Sequence, residues 1–187
     1  MSEQSKAVWR LEGTRVAVLA DCHIHPADGL AFPPAVFEAL AGADLIVTLG
    51  DMGEAVGLDQ LSRVAPVVGV RGGDDADDPR TNHQALVLTS AEQAIGCIFD
   101  ATAAGLATAS QPFAPSPDFQ AVAQRIFGRK IDVLLHASTH RPEASGVEGC
   151  RVFNPGSAVL PAGGAPRSFV RLSADETGQN WELVTLD

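Results

Sequence analysis

Asp21 and His23 stand two residues apart at the end of the apolar run Arg15–Ala20, where both side chains can lie on one face and grip one cation. A carboxylate with an imidazole suits Mn, Fe or Zn better than Ca, and Mg remains compatible. Asp51 follows Gly50 after a second apolar run, and Asp74 and Asp75 follow Gly72-Gly73 after a third. His136-Ala137-Ser138-Thr139-His140 closes a fourth. Singly, each group has an ordinary structural reading: a turn aspartate, a Gly-Asp turn, a packed histidine. In order, they are acids and imidazoles delivered repeatedly to the ends of apolar runs.

Those ends need elements to hold them. The runs are short, rich in Val, Leu and Ile, and bounded by turn residues, which marks buried strands. Arg15–Ala20, Asp44–Leu49 and Pro66–Val70 are expected as strands, with helices between them from Pro33-Pro34 to Leu40 and from Leu58 to Val64. Proline is tolerated in a first helical turn. Further strands are expected at Ala85–Leu88 paired with Ala94–Phe99, at Ile131–Leu135, Val152-Phe153, Ser168–Leu172 and Trp181–Leu186. A helix is expected over Phe119–Phe127, and the Ala-, Ser- and Pro-rich stretch Thr102–Ser116 reads as a surface loop or lid. The fold class is α/β, with the alternating first half bringing polar residues to the C-terminal edge of a sheet. The later strands form a second sheet.

With 187 residues, 45% of them hydrophobic, the chain suits one domain over 1–187, loosely ordered over 1–13. A formal net charge of -10 argues against a nucleic-acid partner held by phosphate-backbone electrostatics. It leaves a phosphate substrate open, because a bound cation reverses the local field. Cys22, Cys97 and Cys150 form no C-x-x-C pair, against a disulfide framework or zinc knot. The N-terminal stretch has no apolar signal core, and no run nears the ~20 residues of a membrane span, so a soluble cytoplasmic protein without membrane partners is expected. The glycine spacing of a P-loop or dinucleotide fold is missing. A barrel-type metal hydrolase, suggested by His23-Ile24-His25, usually needs about 250 residues.

The succession Asp21-x-His23, Gly50-Asp51, Gly72-Gly73-Asp74-Asp75, H-A-S-T-H and Asn154-Pro155-Gly156-Ser157 resembles the calcineurin-like metallophosphoesterases, in particular their small single-domain phosphodiesterase branch. The resemblance runs from Arg15 to the C-terminus. It implies a two-sheet β-sandwich flanked by helices, and hydrolysis of a phosphate ester by metal-activated water. It assigns Asp21, His23, Asp51 and His140 to a first metal, with Asp51 bridging to a second. The family's private ligands for the second metal are an Asn, a middle His and the first His of G-H-x-H. Here those places hold Gly73, a histidine-free stretch from Asp100 to Gly105, and Ser138. One divalent cation is therefore expected, with the second site stripped of its ligands.

Two functions follow from that pattern. The first is a phosphodiesterase or phosphatase, weakened or altered, with Asp51 as its central catalytic residue and Asp74 or Asp75 to orient or protonate. Asp74, Asp75, Asp100 and His25 are candidates to rebuild a second cation site, against the plain reading of 74–78 as a solvated acidic loop. Arg141 could meet a substrate phosphate or sit in a surface ion pair, and Cys22 reads as packing rather than nucleophile. The second function is a non-catalytic scaffold, as in the phosphoesterase-like subunit of retromer, with a protein partner or a second copy as its ligand. Leu106 and Phe113 in the loop Thr102–Ser116 would then supply an apolar patch.

Overall fold

The computed structural model describes residues 7–11, 15–90, 93–175 and 178–186. Strand β2 (Arg15–Leu19) leads through a short 3-10 turn to helix α1 (Pro34–Leu40), then come β3 (Leu45–Thr48), α2 (Ala55–Ser62) and β4 (Val67–Gly69). These strands run parallel, and β12 (Arg167–Asp175) and β13 (Gly178–Leu186) extend their sheet antiparallel, giving the order β13-β12-β2-β3-β4. The second sheet runs β1-β5-β6-β9-β11-β10 and is mixed. Its strands are β1 (Ala7–Arg10), β5 (Ala85–Ser90), β6 (Gln93–Ile98), β9 (Val133–Leu135), β10 (Pro142–Val147) and β11 (Cys150–Pro155).

Alternation along the strands explains the layering. On β2, Val16 and Val18 point into a core shared with Leu86, Leu88, Ile95, Val133 and Leu135 of the other sheet, so the two sheets pack face to face. The intervening Ala17 and Leu19 point outward against Val36 and Leu40 of α1 and Leu58 and Leu61 of α2. The far face of the second sheet is covered in the same way: Val87, Leu134 and Val152 meet Phe119, Val122, Ala123 and Phe127 of α3 (Phe119–Phe127). Strands buried on both faces read as unbroken apolar runs. The result is the expected α/β class: a two-sheet sandwich with helices on both outer faces.

Three elements depart from the sequence expectation. Part of the N-terminal segment expected to be loose forms β1, an edge strand running parallel to β5; residues 1–6 and 12–14 lie outside the described residues. Strand β10 carries no strand signal in its sequence, Pro-Glu-Ala-Ser-Gly-Val, which is half-polar, as befits a sheet edge. The stretch Thr102–Ser116 holds a small hairpin, β7 (Ala107–Ser110) with β8 (Phe113–Pro115). It offers no apolar patch of the kind expected: Leu106 is fully buried beside α3, and Phe113 is half-buried, its ring edge-on to Phe119. Among the described residues no helix is long and apolar enough to cross a membrane.

Candidate metal centre

The chain ends of β2, β3 and β4 do not diverge after their strands. Asp21 N–H donates to the Gly50 carbonyl, His23 N–H to Asp51 and Ile24 N–H to Met52, so the D-x-H and G-D loops continue as a laced pair. Gly50 has φ +100, and a Cβ there would sit 2.6 Å from the Phe99 ring and 2.7 Å from the Gly72 amide, so only glycine fits. Asp75 fastens the third loop to the second. Its Oδ1 accepts from Met52 N–H at 2.6 Å, and its Oδ2 from Gly72 N–H at 2.6 Å and Asp51 N–H at 3.1 Å. Burial pushes its carboxyl up, and these amides pull it back.

Six non-glycine residues among those described have φ in the left-handed region, and five of them are Asp21, His23, Asp51, Ser138 and His140; the other is Glu148. Each such residue costs about 1–3 kcal/mol, and concentrations of this strain mark sites where geometry matters more than comfort. Here the strained loops set two donor atoms beside His23 Nε2. His23 Nε2 lies 3.3 Å from His140 Nε2 and 3.7 Å from Asp51 Oδ2. The two rings stack with centroids 5.0 Å apart. His140 Nδ1 donates to the Leu160 carbonyl at 2.7 Å; a carbonyl only accepts, so that nitrogen carries the proton and Nε2 offers its lone pair.

Asp21 is completely buried beneath these groups. Its Oδ1 accepts from Ser138 N–H and its Oδ2 from His140 N–H. Burial dominates and raises its carboxyl to about 6, with Asp51 adding to the rise and His140 and the two amides opposing it. The H-A-S-T-H loop is buttressed from β11. Asn154, fully buried, donates its amide to the Ala137 carbonyl and to Thr139 Oγ1. Ser157 Oγ donates to the Asp21 carbonyl and accepts from Val159 and Leu160 N–H. The signal for both was the motif N-P-G-S; the Leu160 carbonyl had no signal, because any residue supplies one.

The other candidates fall into place around this centre. Asp74 turns its amide to Asp51 Oδ1 at 2.8 Å and its Oδ2 to His23 Nδ1 at 2.5 Å and His25 Nε2 at 2.7 Å. Burial works against its charge, but the hydrogen bonds from His25 and His23 outweigh it and hold the carboxyl below its ordinary range. That same bond from Asp74 holds His25 above its own. Gly73 is exposed, and a Cβ there would meet only Asp51 Oδ1, at 3.9 Å, so the space an Asn side chain would fill is open. Asp100 caps its own turn, its Oδ1 accepting from Thr102 and Ala103 N–H. Arg141 lays its guanidinium over Gly163. Cys22 is buried, and burial pushes its thiol up, out of reach of nucleophile chemistry.

The donor set fits a divalent cation. Ligands held at 2.0–2.1 Å in a tetrahedral shell lie about 3.4 Å apart, near the two separations seen around His23 Nε2. A buried carboxylate raised by burial, facing Asp51 and a lone-pair nitrogen, is also the electrostatic signature of a place that positive charge would relieve.

The candidate centre thus sits where strand ends of a two-sheet sandwich bring imidazoles and carboxylates side by side. The family model of the calcineurin-like phosphoesterase superfamily domain matches residues 14–177, and the chain belongs to that superfamily. A probable metallophosphoesterase of Methanocaldococcus jannaschii is 27% identical over 165 residues, covering 86% of this chain and 76% of its own length. Among solved structures, Vps29 of Entamoeba histolytica complexed with Zn²⁺ superposes with a TM-score of 0.65 at 21% identity, covering 92% of this chain and 99% of its own. Vps29 of Chaetomium thermophilum complexed with a cyclic peptide gives 0.64 at 22% identity, covering 94% and 98%. At these identities the structural likeness speaks for the fold.

Proposed function

We propose that the protein is a metal-dependent phosphoesterase, a phosphodiesterase or phosphatase, built on one divalent cation held by Asp21, His23, Asp51 and His140. The observation that carries this reading is the flanking of His23 Nε2 by His140 Nε2 at 3.3 Å and by Asp51 Oδ2 at 3.7 Å on strained loops, with His140 locked in the tautomer that presents a lone pair. A cation bound there, Mn, Fe, Zn or Mg, supplies acidity to a coordinated water and positive charge against phosphoryl oxygens.

The chain's own contribution is orientation. Asp21 and Asp51 present carboxylates from loops that share main-chain hydrogen bonds, so little reorganisation remains when substrate arrives. Asp75 acts through those loops rather than on the substrate, since its oxygens are taken by three amides. With Gly73 and Ser138 in place of second-metal ligands, half of the charge clamp is missing. Removing one such electrostatic element commonly costs about 10²–10³ in rate, so a slow enzyme is expected.

The test is hydrolysis of a chromogenic phosphodiester with Mn²⁺, comparing the native chain with Asp51→Asn. Activity that falls at least about 100-fold in the variant supports the reading; equal rates would overturn it. The scaffold reading draws on one observation, the missing second ligand set, together with the peptide-bound Vps29 of similar fold.

A further inference from the structure

His23 faces two ways. Its Nε2 looks toward His140 and Asp51, while its Nδ1 lies 2.5 Å from Asp74 Oδ2. The same oxygen lies 2.7 Å from His25 Nε2, and His25 Nδ1 lies 3.5 Å from Glu54 Oε1. One use for this group would be a second cation centre, since donor atoms of His23, His25 and Asp74 all lie within 4.8 Å of one another. The separations decide against it. Donors sharing one cation at ~2.1 Å sit about 3.0–3.4 Å apart, along the edges of an octahedron or tetrahedron. Contacts of 2.5 and 2.7 Å are those of strong, charge-assisted hydrogen bonds.

We propose that Asp74 is the positioning residue of the metal centre. It accepts the Nδ1 proton of His23, which fixes the ring's orientation and leaves the Nε2 lone pair for the cation. His25 steadies the carboxylate from the other side, and Glu54 steadies His25. A ligating histidine whose other nitrogen donates to a carboxylate is a general device of metal sites. Asp74 reaches a second ligand as well, because its amide donates to Asp51 Oδ1. The two imidazoles are thus oriented by unlike means: His140 by the Leu160 main-chain carbonyl, which no substitution removes, and His23 by a side chain, which one substitution removes. The amide bond to Asp51 and the anchoring by Asp75 survive any change of the Asp74 side chain, so its variants should keep the loop.

This inference rests on the metal-dependent reading, and two measurements on the full chain separate their fates. The first is calorimetric titration with Mn²⁺ alone. The native chain is expected to take up one ion, Asp74→Ala to bind it about 10–100-fold more weakly, and Asp74→Glu to recover part of the loss. The second is long-range proton–nitrogen NMR of the histidine rings in the metal-free protein at alkaline pH. It should place the His23 proton on Nδ1 in the native chain and shift it toward Nε2 in Asp74→Ala. Unchanged Mn²⁺ affinity in a folded Asp74→Ala overturns the inference, as does a native His23 proton on Nε2. A second bound ion that His25→Gln removes would also overturn it, in favour of a cation centre. If the native chain takes up no Mn²⁺, the metal reading falls, and the ring spectra alone then uphold or overturn the role of Asp74.

Discussion

The two halves of the site have fared differently. On the side of Asp21, His23, Asp51 and His140, every group has a backing contact: amides on Asp21, Leu160 on His140, Asp74 on His23 and on Asp51. On the side of Gly73 and Ser138, where the resemblance would put ligands for a second cation, neither residue offers an imidazole, carboxylate or amide side chain, yet the backbone is well ordered by hydrogen bonds. Ser138 keeps a left-handed φ of 72, and its amide still donates to Asp21. That amide bond serves Asp21 whatever side chain position 138 carries.

The comparison breaks most sharply if the intact half is disabled. His140→Ala should weaken Mn²⁺ binding and any hydrolysis by at least about 100-fold, more than the loss of a backing contact; titration and rate measurement check both. An effect no larger than that of Asp74→Ala would show that the centre does not lie between the two rings.

Titration of buried groups sharpens the same contrast. Asp21 holds its proton to about 6 in the folded chain, whereas aspartates titrate near ~3.9 when unfolded. Its contribution is therefore a stability that falls as pH rises from about 4 to about 6. His136 runs the other way. It is fully buried, its ring nitrogens have no hydrogen-bond partner among the described residues, and burial depresses it to about 4. An unfolded histidine titrates near ~6.5, so this contribution rises with pH from about 4 to about 6.5. The two oppose each other in the metal-free protein. His136→Leu should remove the second, so that the stability difference between native and variant changes by up to about 3 kcal/mol between about pH 4 and about pH 7. Denaturant unfolding in a chelator checks it, and a constant difference would refute it.

The shared buttress comes next. Ser157→Ala strips one buried donor from the Asp21 carbonyl and one acceptor from two amides, which should cost about 1–3 kcal/mol of stability. Mildest is repair of the emptied half. Gly73→Asn with Ser138→His returns two ligands to a frame that has room at position 73. A gain on the order of tenfold in Mn²⁺-dependent hydrolysis is expected. No gain would indicate that the histidine-free stretch from Asp100 is the limiting loss.

Much of this could be read in the sequence, for a physical reason. Strands buried on both faces show as continuous apolar runs, and motif residues at their ends inherit a known place in an α/β sheet, so β2, β3, β4 and the residues Asp21, His23 and Asp51 were legible. The amphipathic spacing of Phe119–Phe127 revealed α3 for the same reason, since one face must meet a sheet. Two edge strands of the second sheet were not legible: β10 carries a half-polar sequence, β1 is only four residues long, and their assignment depends on which neighbour they pair with.

Within the candidate site, the sequence determined which groups are on offer: the imidazoles of His23 and His140 and the carboxylates of Asp21 and Asp51, with His25, Asp74 and Asp75 beside them. Tertiary structure alone decided how they are used. Asp74 and Asp75 are the same residue type side by side, yet one holds imidazoles and the other main-chain amides, because adjacent side chains in the loop after β4 point in different directions. The orientation of His140 rests on a carbonyl from residue 160, a group that every residue carries and only folding brings within 2.7 Å.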